Sequence, residues 1–480
     1  MLGGAVAAVS LAGVVGTRET RIVSPPGGSP SAGAASDATS YNEDGGHPGN
    51  KQNPVIGGDR PARNINFSQD NRQILAIAYD SAAANLVPGD SNGVRDIFVM
   101  KRSKRFDGTL LRASVSSSEH QANGESIKPS LDGQAVTGGG AVKPKCVVFQ
   151  SKATNLAPGD SSTDWDVYLR NLHTGKTKLL SGGVSDDARD PVVDGHCRTV
   201  TFEAGGKVYV QDIGSGKRIS IANGYNPDQQ TDGEGVAYDR GGQVYYHAFK
   251  PSAHASVKSA GGEKLVSNSA ANSSRGGNGP SSDPAVNDSG AYVFFESKAT
   301  DLCINRCQGV STDRNGDKSD TFRRTLRPVK GVKGSSSDEM QMVSYDGTRD
   351  VQGNLDSDQV RTTGAGEQAC FRSFAKNFRE IFFDSDGFPG PFMHIYFWNF
   401  PRERRIGALS GESKPGRSDE FKRNDTTPAF SWSCDISNRG SFLGFTSDEE
   451  GESGETNGRE IPDAFIRFMG GSDEGHGGNF

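Results

Sequence analysis

The amino-acid sequence predicts an all-β protein, and three observations point to this class. Only 33% of the 480 residues are hydrophobic and 63 are glycine, which favours short strands joined by turns over long amphipathic helices. Short apolar runs centred on Phe or Tyr recur along the chain. A turn rich in Gly, Asp and Asn recurs with them, as NLVPGDSNGVRDIFV from residue 85 and NLAPGDSSTDWDVYL from residue 155.

Seven aromatic runs define the repeat. They begin at Asp96, Asp166, Lys207, Gln243, Asp320, His394 and Asp463. A second strand-like run precedes each of them, and these runs begin at residues 74, 147, 200, 235, 293, 381 and 443. The two sets pair one to one along the chain, so each unit contains at least two adjacent strands.

Two further runs complete a unit of four strands. The first run of each unit carries a turn of Asp, Asn or Gly and begins at residues 64, 128, 190, 226, 283, 371 and 429. The fourth run follows the aromatic strand in six units, at residues 110, 176, 217, 263, 340 and 404. The seventh unit has no such run after it. Residues 18–24, RETRIVS, have the same mixed basic and β-branched pattern and would supply it.

This arrangement predicts a ring. A four-stranded antiparallel unit repeated radially makes a β-propeller, and a strand from the N-terminal end that completes the last blade removes an open edge. We therefore expect seven four-stranded antiparallel blades, with six as the alternative. The expected organisation is a signal or apolar leader at 1–17, the closing strand at 18–24, a flexible linker at 25–60, the propeller at 61–470 and a disordered tail at 471–480.

The aligned units share a further pattern. A V-x-F-x-S strand with ATNL is followed by PGD-S-N-G and then by D-[IV]-[FY]-V, most clearly within residues 64–116, 128–182 and 283–322. This pattern resembles the WD40-like (PD40-type) propeller repeats of the TolB-like family, especially its secreted bacterial members. The resemblance implies the fold much more than any particular role, because one fold hosts many functions.

The charge and cysteine content limit the kinds of partner and the cellular compartments that suit this protein. The net charge of -6 and the lack of a long Lys or Arg run argue against nucleic acid as a partner. The first sixteen residues are apolar but too short to span a bilayer, which fits an export signal, although no Lys or Arg precedes them. Six cysteines suit an oxidising compartment. We expect an exported monomer, extracellular or in the cell envelope, with no transmembrane segment.

The cysteine spacing suggests two bridges. Cys303 and Cys307 in CINRC would close a small disulfide ring. Cys146 and Cys197 each lie just before the second strand of adjacent units, so a bridge between them is geometrically feasible. Six cysteines allow fifteen pairings, and the sequence does not choose among them.

One loop, DRNGDKSD, carries the sharpest metal-binding pattern. Asp313, Asn315 and Asp317 alternate along it and Asp320 closes it. Calcium takes six to eight oxygen ligands and is wrapped by loops of this kind. The loop is only EF-like, because Lys318 occupies the place of the Gly that an EF-hand needs. The alternative is an Asx turn that bonds to its own backbone.

The repeated turn offers two weaker sets of candidate calcium ligands. The sets are Asp90, Asn92 and Asp96 in the first turn, and Asp160, Asp164 and Asp166 in the second. Asn and Gly tolerate positive φ in turns, and the final Asp can accept backbone N–H groups at the strand entrance. The turn is therefore interpreted mainly as a blade corner, with ligand binding as a second use.

The loops between second and third strands would all emerge on one face. They are long and acidic in blades 1, 2, 5 and 7, shorter in blade 6 (Asp384–Met393), and reduced to AGG and RGG in blades 3 and 4. GDSNG at 89–93 matches a nucleophile-elbow pattern, but a strand rather than a helix follows it. We expect a non-catalytic scaffold that binds a protein or glycan through this face, with calcium ordering the loops. The alternative is a carbohydrate-active hydrolase or lyase that uses carboxylates there.

Overall fold

The structure is a computed structural model that describes most of the chain with gaps. The described residues are 20–22, 66–69, 74–84, 86–102, 108–133, 144–184, 186–251, 257–303, 313–327, 338–346, 351–375, 377–378, 394–399, 405–408, 431–438, 440, 442–447 and 463–468. The predicted leader at 1–17, linker at 25–60 and tail at 471–480 lie outside these residues.

Within the described residues, six four-stranded antiparallel sheets are each built from consecutive strands, and a seventh combines both ends of the chain. We number these blades 1 to 7 along the chain and their strands first to fourth from the centre outward. The strands are Asn66–Gln69, Ile74–Ser81, Asp96–Arg102 and Gly108–Arg112 in blade 1; Ser126–Leu131, Cys146–Ser151, Asp166–Asn171 and Thr177–Leu179 in blade 2; Ala188–Val193, Thr199–Ala204, Lys207–Asp212 and Arg218–Asn223 in blade 3; Tyr225–Gln229, Gly235–Arg240, Gln243–Pro251 and Val257–Leu265 in blade 4; Ser281–Val286, Tyr292–Ser297, Asp320–Thr325 and Met340–Met342 in blade 5; Ser357–Thr362, Gln368–Ser373, His394–Asn399 and Arg405–Ala408 in blade 6; and Ser431–Ile436, Phe442–Ser447, Asp463–Phe468 and Thr20–Ile22 in blade 7. A hairpin of Tyr345–Asp346 and Val351–Gln352 lies between blades 5 and 6.

The ring closes as expected. Thr20–Ile22 pairs antiparallel with the third strand of blade 7, with Arg21 opposite Ile466. Blade 1 in turn contacts blade 7, because the Phe67 N–H donates to Asp435 Oδ2 at 3.0 Å. The fold is therefore a β-propeller whose last blade takes its fourth strand from the N-terminal part of the chain.

Stacked aromatic pairs explain why the aromatic runs recur. In six blades an aromatic side chain of the second strand stacks on its cross-strand partner in the third strand, with ring centroids 5.6 to 6.0 Å apart. These pairs are Tyr79–Phe98, Phe149–Tyr168, Phe202–Tyr209, Tyr238–Tyr245, Phe295–Phe322 and Phe371–Tyr396. Aromatic cross-strand pairs stabilise a sheet by roughly 0.2–1 kcal/mol each relative to Ala pairs.

The hydrophobic core is divided among the seams between blades. Seven clusters of buried apolar side chains are present in the described part of the chain, and each contains residues of two neighbouring blades. The cluster that joins blade 7 to blade 1 packs Phe442 against Phe67, Ile77 and other blade 1 residues. Each blade is thus stabilised by burial against both neighbours.

Blade 6 corrects the sequence prediction. The predicted first and second strands, from residues 371 and 381, are wrong, since the structure places them at Ser357–Thr362 and Gln368–Ser373. IFFDSD at 381–386 imitates the aromatic-polar-Ser pattern, but Phe371, Arg372 and Ser373 are the residues that pair with the third strand. The loop after the second strand is consequently 374–393, longer than expected.

Two disulfides staple neighbouring blades. Cys146–Cys197 joins blade 2 to the first hairpin of blade 3, with a Cα separation of 6.3 Å, as the sequence suggested. Cys370–Cys434 joins blades 6 and 7 with a Cα separation of 6.4 Å, a pair that the sequence did not reveal. Cys303 is also disulfide-bonded, and its expected partner Cys307 lies outside the described residues.

Removing the bridge between blades 2 and 3 is expected to destabilise the fold. The bridge closes a span of 51 residues in the unfolded chain, which corresponds to about 4 kcal/mol of chain-entropy stabilisation. The double variant Cys146→Ala and Cys197→Ala should lower the free energy of unfolding by that amount, measured by urea denaturation under oxidising conditions. Reduction also breaks Cys370–Cys434, so the reduced wild type should be at least as destabilised as the variant. An unchanged midpoint would contradict a stabilising role.

Candidate functional site

One face of the propeller carries the long connections between second and third strands, and we call it the long-loop face. By the strand bounds these loops span 82–95, 152–165, 298–319, 374–393 and 448–462 in blades 1, 2, 5, 6 and 7. Blades 3 and 4 have only the two-residue turns Gly205–Gly206 and Gly241–Gly242. Residues 448–462, most of 374–393 and part of 298–319 lie outside the described residues, so the loop geometry given below is that of blades 1, 2 and 5.

Two of the long loops, those of blades 2 and 5, are held by the same pair of hydrogen bonds, which we call the clasp. The Asn123 side chain donates to Thr154 Oγ1 at 2.8 Å and accepts from the Thr154 N–H at 2.9 Å. Asn278 and Thr300 form the same pair of bonds in blade 5, both at 2.8 Å. Gly124, in the chain entering blade 2, lies so close to the loop backbone that a Cβ would come within 2.6 Å of the Lys152 carbonyl. Each loop is thus docked on the segment that enters its own blade.

The first candidate metal turn surrounds an arginine. Asp90 Oδ1 and Asp96 Oδ2 lie 2.8 and 3.4 Å from the same guanidinium nitrogen of Arg112. Asn92 donates to Asp96 at 2.8 Å, and the Ser114 hydroxyl donates to the other oxygen of Asp96. The three predicted ligands do come together. The charge they share is already balanced by Arg112, and burial raises the pKa of Asp96.

The second candidate turn is organised differently. The Tyr168 hydroxyl donates to Asp160 Oδ2, and the Ser162 N–H donates to Asp160 Oδ1 at 3.1 Å. Asp166 accepts the Ser181 hydroxyl at the start of the third strand, and Asp164 is exposed. The carboxylates of this turn therefore serve as acceptors within the blade corner.

The blade 5 loop brings three of its four predicted ligands together. Gln352 Nε2, from the extra hairpin, donates at 2.8 Å to both Asp313 Oδ1 and Asp320 Oδ2. The Asn315 amide nitrogen donates to the Gly353 carbonyl at 2.7 Å, whereas the Asp317 side chain is 93% exposed and points away. Burial raises the pKa of Asp320 to about 7. The hairpin that supplies Gln352 was not anticipated from the sequence.

The central channel is lined by the first strands of all seven blades and encloses about 100 Å³. Five carboxylates face it, from Asp190, Asp228, Asp283, Asp288 and Asp435, with two cations, Lys128 and Arg361. Lys128 pairs with Asp190 at 2.5 Å and Arg361 with Asp283 at 3.2 Å. The Val286 N–H donates to Asp228 at 2.7 Å. The remaining two carboxylates, Asp288 and Asp435, also accept hydrogen bonds.

A hydrogen bond between neighbouring blades, which we call the latch, recurs beside this channel. It joins the N–H of a first-strand residue to a second-strand side chain of the preceding blade. Five first strands contain a β-bulge with a non-glycine residue at positive φ, namely Lys128, Asp190, Asn226, Asp283 and Gln359. In four of them the N–H of that residue donates to a second-strand side chain of the preceding blade. The acceptors are Asp80, Gln150, Glu203 and Glu296. Positive φ is costly for such residues, and these bonds offset the cost.

Glu296 lies in the most highly charged of these latches, between blades 5 and 6. It accepts the Ser282 hydroxyl at 2.9 Å and the Gln359 N–H at 3.3 Å. Burial, together with the nearby carboxylates of Asp358 and Asp283, raises the pKa of Glu296 to about 8. Its carboxyl therefore stays protonated near neutral pH.

The latch residues and the channel carboxylates were missed by the sequence analysis. A signal was present, because a polar residue follows the aromatic of the second strand as Asp80, Gln150, Glu203, Asp239, Glu296 and Arg372. Trp165 and Trp398 pack inside the propeller and are 4% and 0% exposed, so neither ring is free to stack on a sugar. The Trp432 side chain lies outside the described residues.

Comparison with known proteins concerns the fold alone. No protein-family model matches the chain, and no curated protein matches its sequence. Among solved structures, TolB from Acinetobacter baumannii is similar at 11% identity, with 85% of this chain and 80% of that one covered and a TM-score of 0.35. The Cps50 (Swd1) β-propeller domain from Myceliophteria thermophila covers 84% and 96% at 10% identity and a TM-score of 0.41. The β-propeller domain of the trilobed protease from Pyrococcus furiosus covers 85% and 96% at 10% identity and 0.40.

Within the part of the chain that the structure describes, no helix has the length and apolar character needed to cross a bilayer.

The raised pKa of Glu296 makes its contribution to stability depend on pH. Between its ordinary pKa of 4.5 and the folded value of about 8, the folded protein holds a proton that the unfolded chain releases. That contribution is therefore full below pH 4.5 and is lost as the pH rises through 8. The variant Glu296→Gln carries no such proton and should gain stability over wild type as pH rises, by up to roughly 5 kcal/mol at alkaline pH.

The measurement is the melting temperature of both proteins at acidic and alkaline pH. The exposed Glu234 gives a matched control, since Glu234→Gln should shift the melting temperature equally at both values. A Glu296→Gln difference that does not change with pH would show that the carboxyl titrates normally.

Proposed function

We propose that the protein is a non-catalytic, exported scaffold that binds a protein or glycan partner through its long-loop face. The observation that carries this proposal is the clasp that docks the loops of blades 2 and 5 on the propeller, because preordered loops lose less conformational entropy on binding. Blades 3 and 4 have only two-residue turns on the same face, so no loop protrudes there. The face therefore combines the docked loops of blades 2 and 5 with the short turns of blades 3 and 4.

The engagement of the channel carboxylates supports a binding role over a catalytic one. A general acid or base must reach the proton it transfers. Lys128 and Arg361 neutralise two of the channel carboxylates, and hydrogen bonds from neighbouring blades are accepted by Asp228, Asp288 and Asp435. These groups hold blades together.

Export is part of the same proposal. Disulfides persist in oxidising compartments, and this chain uses two of them to join blades. The apolar leader at 1–17 would direct the chain there.

Exposed loop tips give the most direct test of the binding face. Ser161 and Asp164 lie exposed in the blade 2 loop, and replacing both with Arg should lower partner retention about tenfold or more by placing bulky charge in the interface. The readout is retention of envelope or medium components on the immobilised full chain, with a glycan array in parallel. The matched control, Glu234→Arg with Ala365→Arg, changes exposed residues of the opposite face and should retain the partner.

Equal retention by both variants would remove the case for the long-loop face. Turnover of polysaccharide by the wild-type chain would favour the carbohydrate-active alternative instead.

We further propose calcium as a stabiliser of the blade 5 loop. Asp313 Oδ1 and Asp320 Oδ2 face one point, which Gln352 Nε2 bridges, and Asn315 is joined to this cluster by its N–H bond to Asp313 Oδ1. A calcium ion there would replace the two amide hydrogen bonds, and the Gln352 side chain could turn to offer Oε1. The corresponding turns of blades 1 and 2 are less suitable, because Arg112 and Tyr168 already donate to their carboxylates.

Calcium should therefore raise thermal stability relative to EDTA. A ligand that binds only the folded form adds about 2.7 kcal/mol at a hundredfold excess over Kd. Asp313→Asn should abolish the shift, whereas Asp317→Asn, at a side chain that points to solvent, should preserve it. No difference between calcium and EDTA in the wild type would end the proposal.

A further inference from the structure

The face opposite the long loops carries a cluster of positive charge on blades 2 and 3. We call Lys145, Lys176, Lys178, Arg198 and Lys217 the basic patch, and all five are exposed. They belong to the turns that join first to second and third to fourth strands, or lie next to them. Such turns emerge opposite the long-loop face in an antiparallel blade.

Contacts between the two blades bring these cations into one surface. The Cys146–Cys197 disulfide places Lys145 beside Arg198 in the chain path. The Ile213 N–H donates to the Arg198 carbonyl at 2.8 Å, and Lys178 Nζ donates to the Ile213 carbonyl at 2.8 Å.

Two imidazoles extend the surface. His173 Nε2 lies 3.0 Å from the Pro144 carbonyl oxygen, beside Lys145. The pKa of His196 is lowered by burial and then by the nearby Arg198 and Lys145, which places all three groups within electrostatic range. The disulfide fixes this arrangement, so the charges are held in place relative to one another.

Few negative charges oppose the patch. The segments 144–146, 171–178, 194–198 and 212–217 contain two carboxylates, Asp194 and Asp212. Asp194 is fully buried and bonds to Arg198 Nε at 3.0 Å, so Asp212 alone in these described segments reaches solvent. Outside these segments, the exposed Glu119 carboxylate lies beside Gly175 and is paired with Arg170. A protein of net charge -6 thus presents a positive surface here.

The kinds of side chain indicate what the patch would contact. Four of the five cations are lysines, and the Arg198 guanidinium is already engaged by Asp194 and by the Asp232 carbonyl. Lysine acts as a point charge on phosphate and does not impose the fixed fork of an arginine. Within the described residues, Tyr225 is the exposed large hydrophobic residue, and it begins a first strand on the long-loop face. The patch therefore lacks the aromatic anchor typical of a protein interface.

We propose that the basic patch docks the protein peripherally on an anionic phospholipid bilayer, with the lysine ammonium groups against headgroup phosphates. The flat side of the disc then lies on the membrane and the long-loop face points away from it. This inference goes beyond the proposed function and does not depend on it.

The test is co-sedimentation of the full, oxidised chain with vesicles. We expect binding to phosphatidylcholine vesicles that contain phosphatidylglycerol, little binding to phosphatidylcholine alone, and loss of binding as salt screens the charges. Lys145→Ala with Lys176→Ala should weaken partitioning by about fivefold for each lysine removed. The control Lys207→Ala with Lys298→Ala removes two exposed lysines of the long-loop face and should leave binding unchanged.

Equal sedimentation with both vesicle types, or equal loss in both variants, would overturn the proposal. Binding of soluble polygalacturonate without any binding to vesicles would overturn it as well, because the ligand would then be a polyanionic glycan. The patch variant Lys145→Ala with Lys176→Ala should retain the long-loop partner as well as wild type does. Failure of the membrane proposal is therefore distinguishable from failure of the long-loop proposal.

Discussion

The propeller depends on one repeated interaction, the hydrogen bond from a bulged first strand to a polar side chain of the preceding blade. The bulge places a non-glycine residue such as Asp190 at positive φ, and Gln150 receives the N–H that this conformation turns outward at 2.8 Å. Apolar burial at the seams is strong but non-directional. The latch supplies direction at four seams, because it sets how one blade is positioned against the next and where their first strands meet around the channel.

Burying a charged acceptor for this hydrogen bond costs free energy, and the acceptor differs from one seam to another. Asp80 is fully buried, and burial raises its pKa to about 7 although Arg95 lies 3.0 Å away. At the next seam the uncharged side chain of Gln150 accepts the corresponding N–H, that of Asp190. Glu296 shares its seam with Asp283 and Asp358, whose charges are matched by Arg361 and Arg372. Two guanidinium groups balance two of the three carboxylates, so the third retains its proton.

The sequence predicts the local features of this fold well and the long-range ones poorly. All seven third strands begin at the predicted residues, because the aromatic run and its turn are local. Blade 6 was misplaced because IFFDSD carries the same local pattern as ACFRS. The blade 5 loop was identified as a cluster of oxygen atoms, but Gln352 is 32 residues from Asp320 and joins it only through the fold. Cys370 and Cys434 likewise meet across a span of 64 residues.

The two faces of the disc differ in charge for a topological reason. Every unit sends one set of connections to each face, so a feature repeated in all units appears around a whole face. The acidic turn follows the second strand in blades 1, 2 and 5 and is absent from blades 3 and 4, so it occupies only part of its face. The lysines of the basic patch follow no repeat, and they cluster because turns of two adjacent blades happen to carry them beside a disulfide. The net charge of the whole chain does not show that acidic and basic residues lie on opposite faces. The order of strands within a blade shows which turns share a face.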